Sequence, residues 1–406
     1  MSASRRDFLM RGLCGCALCG AWPRAFAHLL PTNLTPLVSP GYRPAEADER
    51  GLWQQCDSFE KELAASGLVI NDAALKDYIR GVTERLLGKP IASELRIYPL
   101  RDPEFNAAMM PNGAMIVQSG LLARMRSEAQ LAAVLGHESG HYLRRHTVKN
   151  WRELKSKTAT MSVLALIGGI AAGGIGYGLA TGVNATLAMS VMSFSRELES
   201  EADAYGLQLL QAAGYPPGAA AEVWTQLIGE RKASADERRK KYKDKARSVF
   251  STHPPTDERM QDLTDSAAAL EKEHPGEHYD ARRSDWLAAV TPLRAMLLEE
   301  QVKLNDPGAS LYMLNSLAQD GWDGTLRYYQ GEVYRLRSEA GDDNLARTAY
   351  AAAVQAPNPP PEAYRMHGYA LLQAGQRDAA REALTRYLDL APQASDAEMV
   401  RFSLQQ

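Results

Sequence analysis

Ser127-Glu128-Ala129-Gln130-Leu131-Ala132-Ala133-Val134-Leu135-Gly136-His137-Glu138-Ser139-Gly140-His141 is the stretch on which the reading of this 406-residue chain turns. Ser127 with Gln130 three places later has the form of a capping box, so a helix is expected to start here. The run from Leu131 to Leu135 makes that helix largely apolar, and therefore buried. Two histidines four apart share one helix face and can bind one metal ion through imidazole nitrogens. Glu138 is one step round, where its carboxylate can take a proton from a water at the metal. Burying two histidines and a glutamate is costly unless a metal compensates their desolvation. The stretch therefore predicts a zinc-dependent hydrolase with one Zn2+ per chain.

A third ligand has to come from another part of the chain, and the acidic run Glu197-Leu198-Glu199-Ser200-Glu201-Ala202-Asp203 offers it. Glu199 and Asp203 share a helix face, whereas Glu201 points about 200° away from Glu199. One carboxylate on the metal and another a turn later, holding a ligand histidine by its free N–H, would complete the site. An acidic solvated face is the reading this run would receive without the upstream histidines.

His137-Glu138-x-x-His141 followed by Glu199-x-x-x-Asp203, within Glu199-Ser200-Glu201-Ala202-Asp203-x-x-Gly206, resembles the zinc metallopeptidases of the HtpX and CAAX prenyl protease type. The resemblance spans residues 58–270. It implies a gluzincin in which Glu199 is the third zinc ligand and Asp203 supports the site or handles protons. Asn106-Ala107 through Pro111-x-Gly113 and Gly120-Leu121-Leu122 look like that family's hairpin beside the active site. Arg144 and Thr147 stand where a metzincin needs glycine and histidine, which excludes that group. Ser251-Thr252-His253-Pro254-Pro255, with Arg259 beyond, matches a further element of a periplasmic branch. There the resemblance implies that His253 reaches the zinc and restrains activity, or donates to the tetrahedral intermediate.

The N-terminus reads as an export signal. Ser4-Arg5-Arg6-Asp7-Phe8-Leu9 has a twin-arginine pattern, residues 12–22 are weakly apolar, and Ala25-Phe26-Ala27 has the form of a cleavage site. Of four cysteines only Cys56 lies beyond residue 27, so a mature chain has no intrachain disulfide. The formal charge of −3 becomes −6 without the first 27 residues, with 42 basic against 48 acidic side chains. No basic block dominates, so no nucleic-acid partner is expected. The expected location is the periplasm.

An extended arm is expected before regular helix patterning begins near Asp57 and runs to Leu87. Arg96 to Leu100 alternates like a short strand. Asn112-Gly113 reads as a turn entering a second strand at Ala114-Met115-Ile116-Val117-Gln118. That strand is either an edge for an extended substrate or an interior hairpin strand. Residues 158–195 carry no charge, and six glycines fall between Gly168 and Gly178. A transmembrane helix is one reading of residues 161–180. The glycines favour a flexible apolar hairpin over the active site, or one in peripheral contact with a membrane or partner. Residues 231–247, dense in Lys and Arg, read as a solvated helix or loop, and His146 as a surface residue.

Residues 361–396 contain Gly368-Tyr369-Ala370, Gly375, Ala379-Ala380, Ala383-Leu384 and Leu390-Ala391-Pro392, which resembles a tetratricopeptide unit. Residues 325–360 look like a preceding unit, and residues 284–324 like a less regular one. The expected fold is mostly α. It comprises a signal at 1–27, an arm at 28–57, a gluzincin-type zinc peptidase domain with a small β-hairpin or sheet at 58–270, and an α-helical tetratricopeptide-like repeat domain at 284–406. The expected activity is endopeptidase hydrolysis of unfolded or misassembled proteins, with outer-membrane assembly machinery as a partner met through the repeats. A chaperone or assembly scaffold and an intramembrane peptidase are the competing readings; the short supply of long apolar spans argues against the second.

Overall fold

The computed structural model describes residues 34–157, 194–242 and 257–404. Helix α1 (Ala47–Ala65) begins ten residues before the expected start of regular patterning, and Ser66-Gly67 separates it from α2 (Ala73–Leu87). A short turn of helix, α3 (Lys89–Ala92), leads into a three-stranded sheet of β1 (Arg96–Leu100), β2 (Ala107–Met109) and β3 (Ala114–Gln118). The strand order is β1-β3-β2, with β1 parallel and β2 antiparallel to β3. The expected strand at Ala114–Gln118 is therefore interior, and it is buried at every position. Its neighbours β1 and β2 are the edges among the described residues, and β2 runs beside the metal-helix candidate. The Asn112-Gly113 turn joins β2 to β3, with Gly113 at φ 87°, a left-handed conformation that favours glycine.

After α4 (Ser119–Arg124) comes α5 (Glu128–Leu143), the helix foreseen from Ser127. Ser127 Oγ accepts from the Gln130 amide at 3.3 Å. The Gln130 side chain does not complete the expected box; it accepts from the amide of Arg126 at 2.9 Å, one residue upstream. Arg145 at φ 55° breaks the helix, and α6 (His146–Lys157) sets off in a new direction. Two helices follow: α7 (Arg196–Ala212), capped by Ser195, and α8 (Ala219–Glu237). Next comes α9 (Asp257–Glu273). The close approach of α7 to α5 rests on small residues. A Cβ added at Gly140 would lie 3.1 Å from the Ala202 carbonyl oxygen.

The remaining helices are α10 (Arg283–Val290), α11 (Arg294–Lys303), α12 (Pro307–Leu317), the hairpin α13 (Gly324–Arg337) with α14 (Asp342–Gln355), the hairpin α15 (Pro361–Gln373) with α16 (Arg377–Leu390), and the short α17 (Ala397–Ser403). The two hairpins coincide with the expected repeat units. Each is closed by glycine against a large side chain: a Cβ at Gly331 would meet the Tyr350 ring at 2.4 Å, and one at Gly368 would meet Leu384 at 2.6 Å.

Helices α10–α12 are part of the same core as the preceding helices. Trp286 is fully buried, and its indole N–H donates to the Met125 carbonyl at 2.7 Å, two residues before the α5 cap. Tyr312 packs against Gly229 of α8 so closely that a Cβ there would overlap its ring. Arg101 donates to Glu300 of α11 at 2.7 Å. One apolar cluster runs from Val38 to Ala363 without a break. Among the described residues, no helix is long and apolar enough to cross a membrane.

Candidate metal centre

His137 and His141 lie one turn apart on α5, both buried, with their Nε2 atoms 3.0 Å apart. From α7, Glu199 places Oε2 3.6 Å from His137 Nε2 and Oε1 3.6 Å from His141 Nε2. Ligand atoms about 2.0–2.2 Å from a tetrahedral zinc are separated from one another by roughly 3.3 Å. The three pairs bracket that spacing, and the ligating atoms all lie within 4.8 Å of one another. Two imidazoles and a carboxylate are, moreover, the donor set of a zinc site that keeps a fourth position open. The residues fit the ion.

Asp203, one turn beyond Glu199, holds His137 from behind: its Oδ1 is 2.9 Å from His137 Nδ1. That contact selects the tautomer with the proton on Nδ1, leaving Nε2 free to face the centre. Arg259 of α9 closes this side. Its Nε and Nη2 donate to the two Asp203 oxygens at 2.7 Å each, and its Nη1 is 2.9 Å from Glu199 Oε2. Its guanidinium lies over the Trp224 ring, 4.4 Å from the centroid. Burial alone would raise the Asp203 carboxyl, but Arg259 and His137 beside it hold it well below the usual carboxylate range.

Glu138 is 4 % exposed, and it lines a cavity of about 230 Å³. His137, Glu138 and Asp203 form one wall of that cavity, while Phe105, Val134, Leu207, Trp224 and Leu227 make it apolar. Glu104 also lines it. Burial, reinforced by the charge of nearby Asp102, pushes the Glu104 carboxyl up to about 7.

The structure thus brings together five of the six residues singled out from the sequence: His137, Glu138, His141, Glu199 and Asp203. The sixth, His253, lies outside the described residues, as do residues 158–193 of the apolar glycine-rich segment and the signal region. His146 corrects the expectation of a surface residue. It is fully buried, with Nδ1 3.0 Å from His141 Nδ1 and Nε2 3.4 Å from Glu201 Oε2. Burial pushes it down to about 4, against the pull of Glu201. Five residues after His141, it falls on no shared helix face; only the left-handed Arg145 turns it back toward the site. Periodicity therefore carries no signal for it. Arg259 was visible in the sequence as a residue beyond Pro255, but its two-carboxylate contact was not.

The sequence profile of peptidase family M48 matches residues 73–267, which takes in β1–β3 and every residue of the centre. The chain carries an M48 peptidase domain. Its relatives include the beta-barrel assembly-enhancing proteases of Yersinia pestis and Escherichia coli. The first is 28% identical over 246 residues, covering 59% of this chain and 48% of the relative. The second is 26% identical over 220 residues, covering 53% and 43%. The mitochondrial metalloendopeptidase OMA1 of Schizosaccharomyces pombe is 29% identical over 192 residues, covering 46% of this chain and 51% of the relative. The chain thus spans about half the length of the curated relatives it matches. Within the M48 domain, the histidine pair and Glu199 form a group able to hold a metal ion.

Proposed function

We propose that this chain is a zinc-dependent endopeptidase of the cell envelope that cleaves misfolded or misassembled outer-membrane proteins. The observation that carries the peptidase reading is the convergence of His137, His141 and Glu199 from two helices on one point, with Glu138 beside it. When bound, zinc supplies Lewis acidity that brings a water's pKa to about 7. Glu138 would take a proton from the attacking water and return it to the leaving amine. Asp203 and Arg259 fix His137 and Glu199 in place, so little reorganisation accompanies the reaction. As a sheet edge among the described residues, β2 takes an extended substrate by strand pairing, and the apolar cavity takes a side chain. On the family resemblance, His253 would either occupy the fourth zinc position or donate to the tetrahedral intermediate.

The substrate class rests on the relatives' names, which tie them to beta-barrel assembly. The periplasmic location rests on the twin-arginine pattern. Residues 284–406 are taken as tetratricopeptide-like repeats that hold a substrate or assembly partner. Glu138→Gln keeps a polar group of the same shape but abolishes proton transfer. The variant is expected to bind one zinc per chain and to lose cleavage of an unfolded outer-membrane protein by at least about a hundredfold. Cleavage at the wild-type rate by the zinc-loaded variant would overturn the proposal.

A further inference from the structure

The two histidines of the centre are supported differently. His137 leans on a carboxylate, Asp203, as ligand histidines commonly do. At His141 the corresponding atom, Nδ1, faces not an acid but the Nδ1 of a second imidazole, His146, at 3.0 Å. Two bare ring nitrogens at that separation repel, so one of them carries the shared proton. Ligation through His141 Nε2, which is the atom facing His137 and Glu199, puts the His141 proton on Nδ1. His146 Nδ1 is then the acceptor. Its own proton sits on Nε2, which makes no hydrogen bond of good geometry but faces Glu201 Oε2 at 3.4 Å, so the coupling to that carboxylate is electrostatic; Glu201 is in turn held by the Arg144 guanidinium. Phe194, stacked on the His141 ring with centroids 4.0 Å apart and planes 21° from parallel, prevents the ring from turning out of this line.

We infer that His146 is a positioning residue for the metal centre: a neutral imidazole with its proton on Nε2, which accepts from His141 Nδ1 and relays the charge of Glu201 to that ligand. The inference rests on His141 being a metal ligand. It gives a use to Glu201, which helical geometry turns away from the metal, and to a histidine that shares no face with the other two. Such support sets both the tautomer and the basicity of a ligand, and its loss typically costs 10–100-fold in metal affinity.

The test uses the full chain loaded with zinc. Long-range proton–nitrogen correlation spectra of histidine-labelled protein are expected to show His146 protonated at Nε2 and bare at Nδ1. In competition with a chelator, His146→Leu, which keeps volume but has no acceptor, is expected to hold zinc 10–100-fold less tightly. His146→Asn places its amide oxygen where Nδ1 stood and is expected to stay within about threefold of wild type. A His146 protonated at Nδ1 overturns the inference, and that readout needs no variant to fold. So does unchanged zinc affinity in a folded His146→Leu protein, or equal loss in Leu and Asn. A wild-type chain that binds no zinc at all would instead remove the metal-centre reading on which this one stands.

Discussion

Gly206 of α7 packs backbone to backbone against the amide of His137: a Cβ added at residue 206 would lie 3.1 Å from that nitrogen and 3.3 Å from the Gly136 carbonyl carbon. No side chain can move aside there, because both neighbours are main chain of the metal helix. The separation of α5 and α7, and with it the distance of Glu199 from the histidine pair, is set at this contact. Gly206→Val is therefore expected to destabilise the chain by about 1–3 kcal/mol through overpacking and to drop zinc content below one per chain. Urea unfolding together with elemental analysis of the purified variant checks both.

Arg259, its side chain 11 % exposed, lies between the carboxylates of Glu199 and Asp203 and offsets the charge of both in the absence of a metal. Replacing one partner of a buried charge pair generally costs about 3–5 kcal/mol. Arg259→Gln is expected to show a loss of that order in metal-free protein. Zinc next to Glu199 offsets part of the missing charge, so the loss should shrink when the variant is zinc-loaded. Denaturation curves of wild type and variant, each with and without zinc, give the comparison. Equal losses in both states would mean that Arg259 and the metal do not share a carboxylate.

How much of this could be seen in the sequence follows from the range of each signal. The HExxH pair, its apolar helix and the Glu199/Asp203 spacing are local periodicities, and the structure places all five side chains together. The two C-terminal helix hairpins were likewise visible, because small residues recur where helices touch. Contacts set by tertiary turns were not. His146 depends on one left-handed residue at Arg145, and the edge position of β2 depends on β1 crossing to the far side of β3. The seating of Trp286 in the peptidase core joins positions 161 residues apart, beyond the reach of any local pattern.

That seating has a consequence for truncation. Because Trp286, Leu297, Leu298 and Met313 lie in the cluster that also contains Leu131 and Leu135 of the metal helix, a chain ending at residue 270 loses part of its own core. It is expected to be insoluble or to unfold without a cooperative transition. A chain ending at residue 360 keeps α10–α14 and should melt cooperatively and retain zinc. Thermal unfolding of the two fragments separates these outcomes; a stable, zinc-binding 270-residue fragment would show that the C-terminal helices merely rest on the surface.

Glu104 provides the pH dependence. Its carboxyl is pushed up to about 7 by burial and by Asp102, which is itself raised to about 6. A carboxyl raised in the folded state binds more protons there than in the unfolded chain, so stability falls as pH rises across the interval between the two values. For Glu104 that interval runs from about 4.5 to about 7. Glu104→Gln removes the ionisable group while keeping its shape. The variant should match wild type near pH 4 and become the more stable of the two above pH 7.5, where the wild-type carboxylate is charged in a largely apolar cavity. Urea midpoints measured at half-unit intervals from pH 4 to 8 trace the difference. A stability difference that does not vary with pH would place Glu104 in water rather than in the cavity wall.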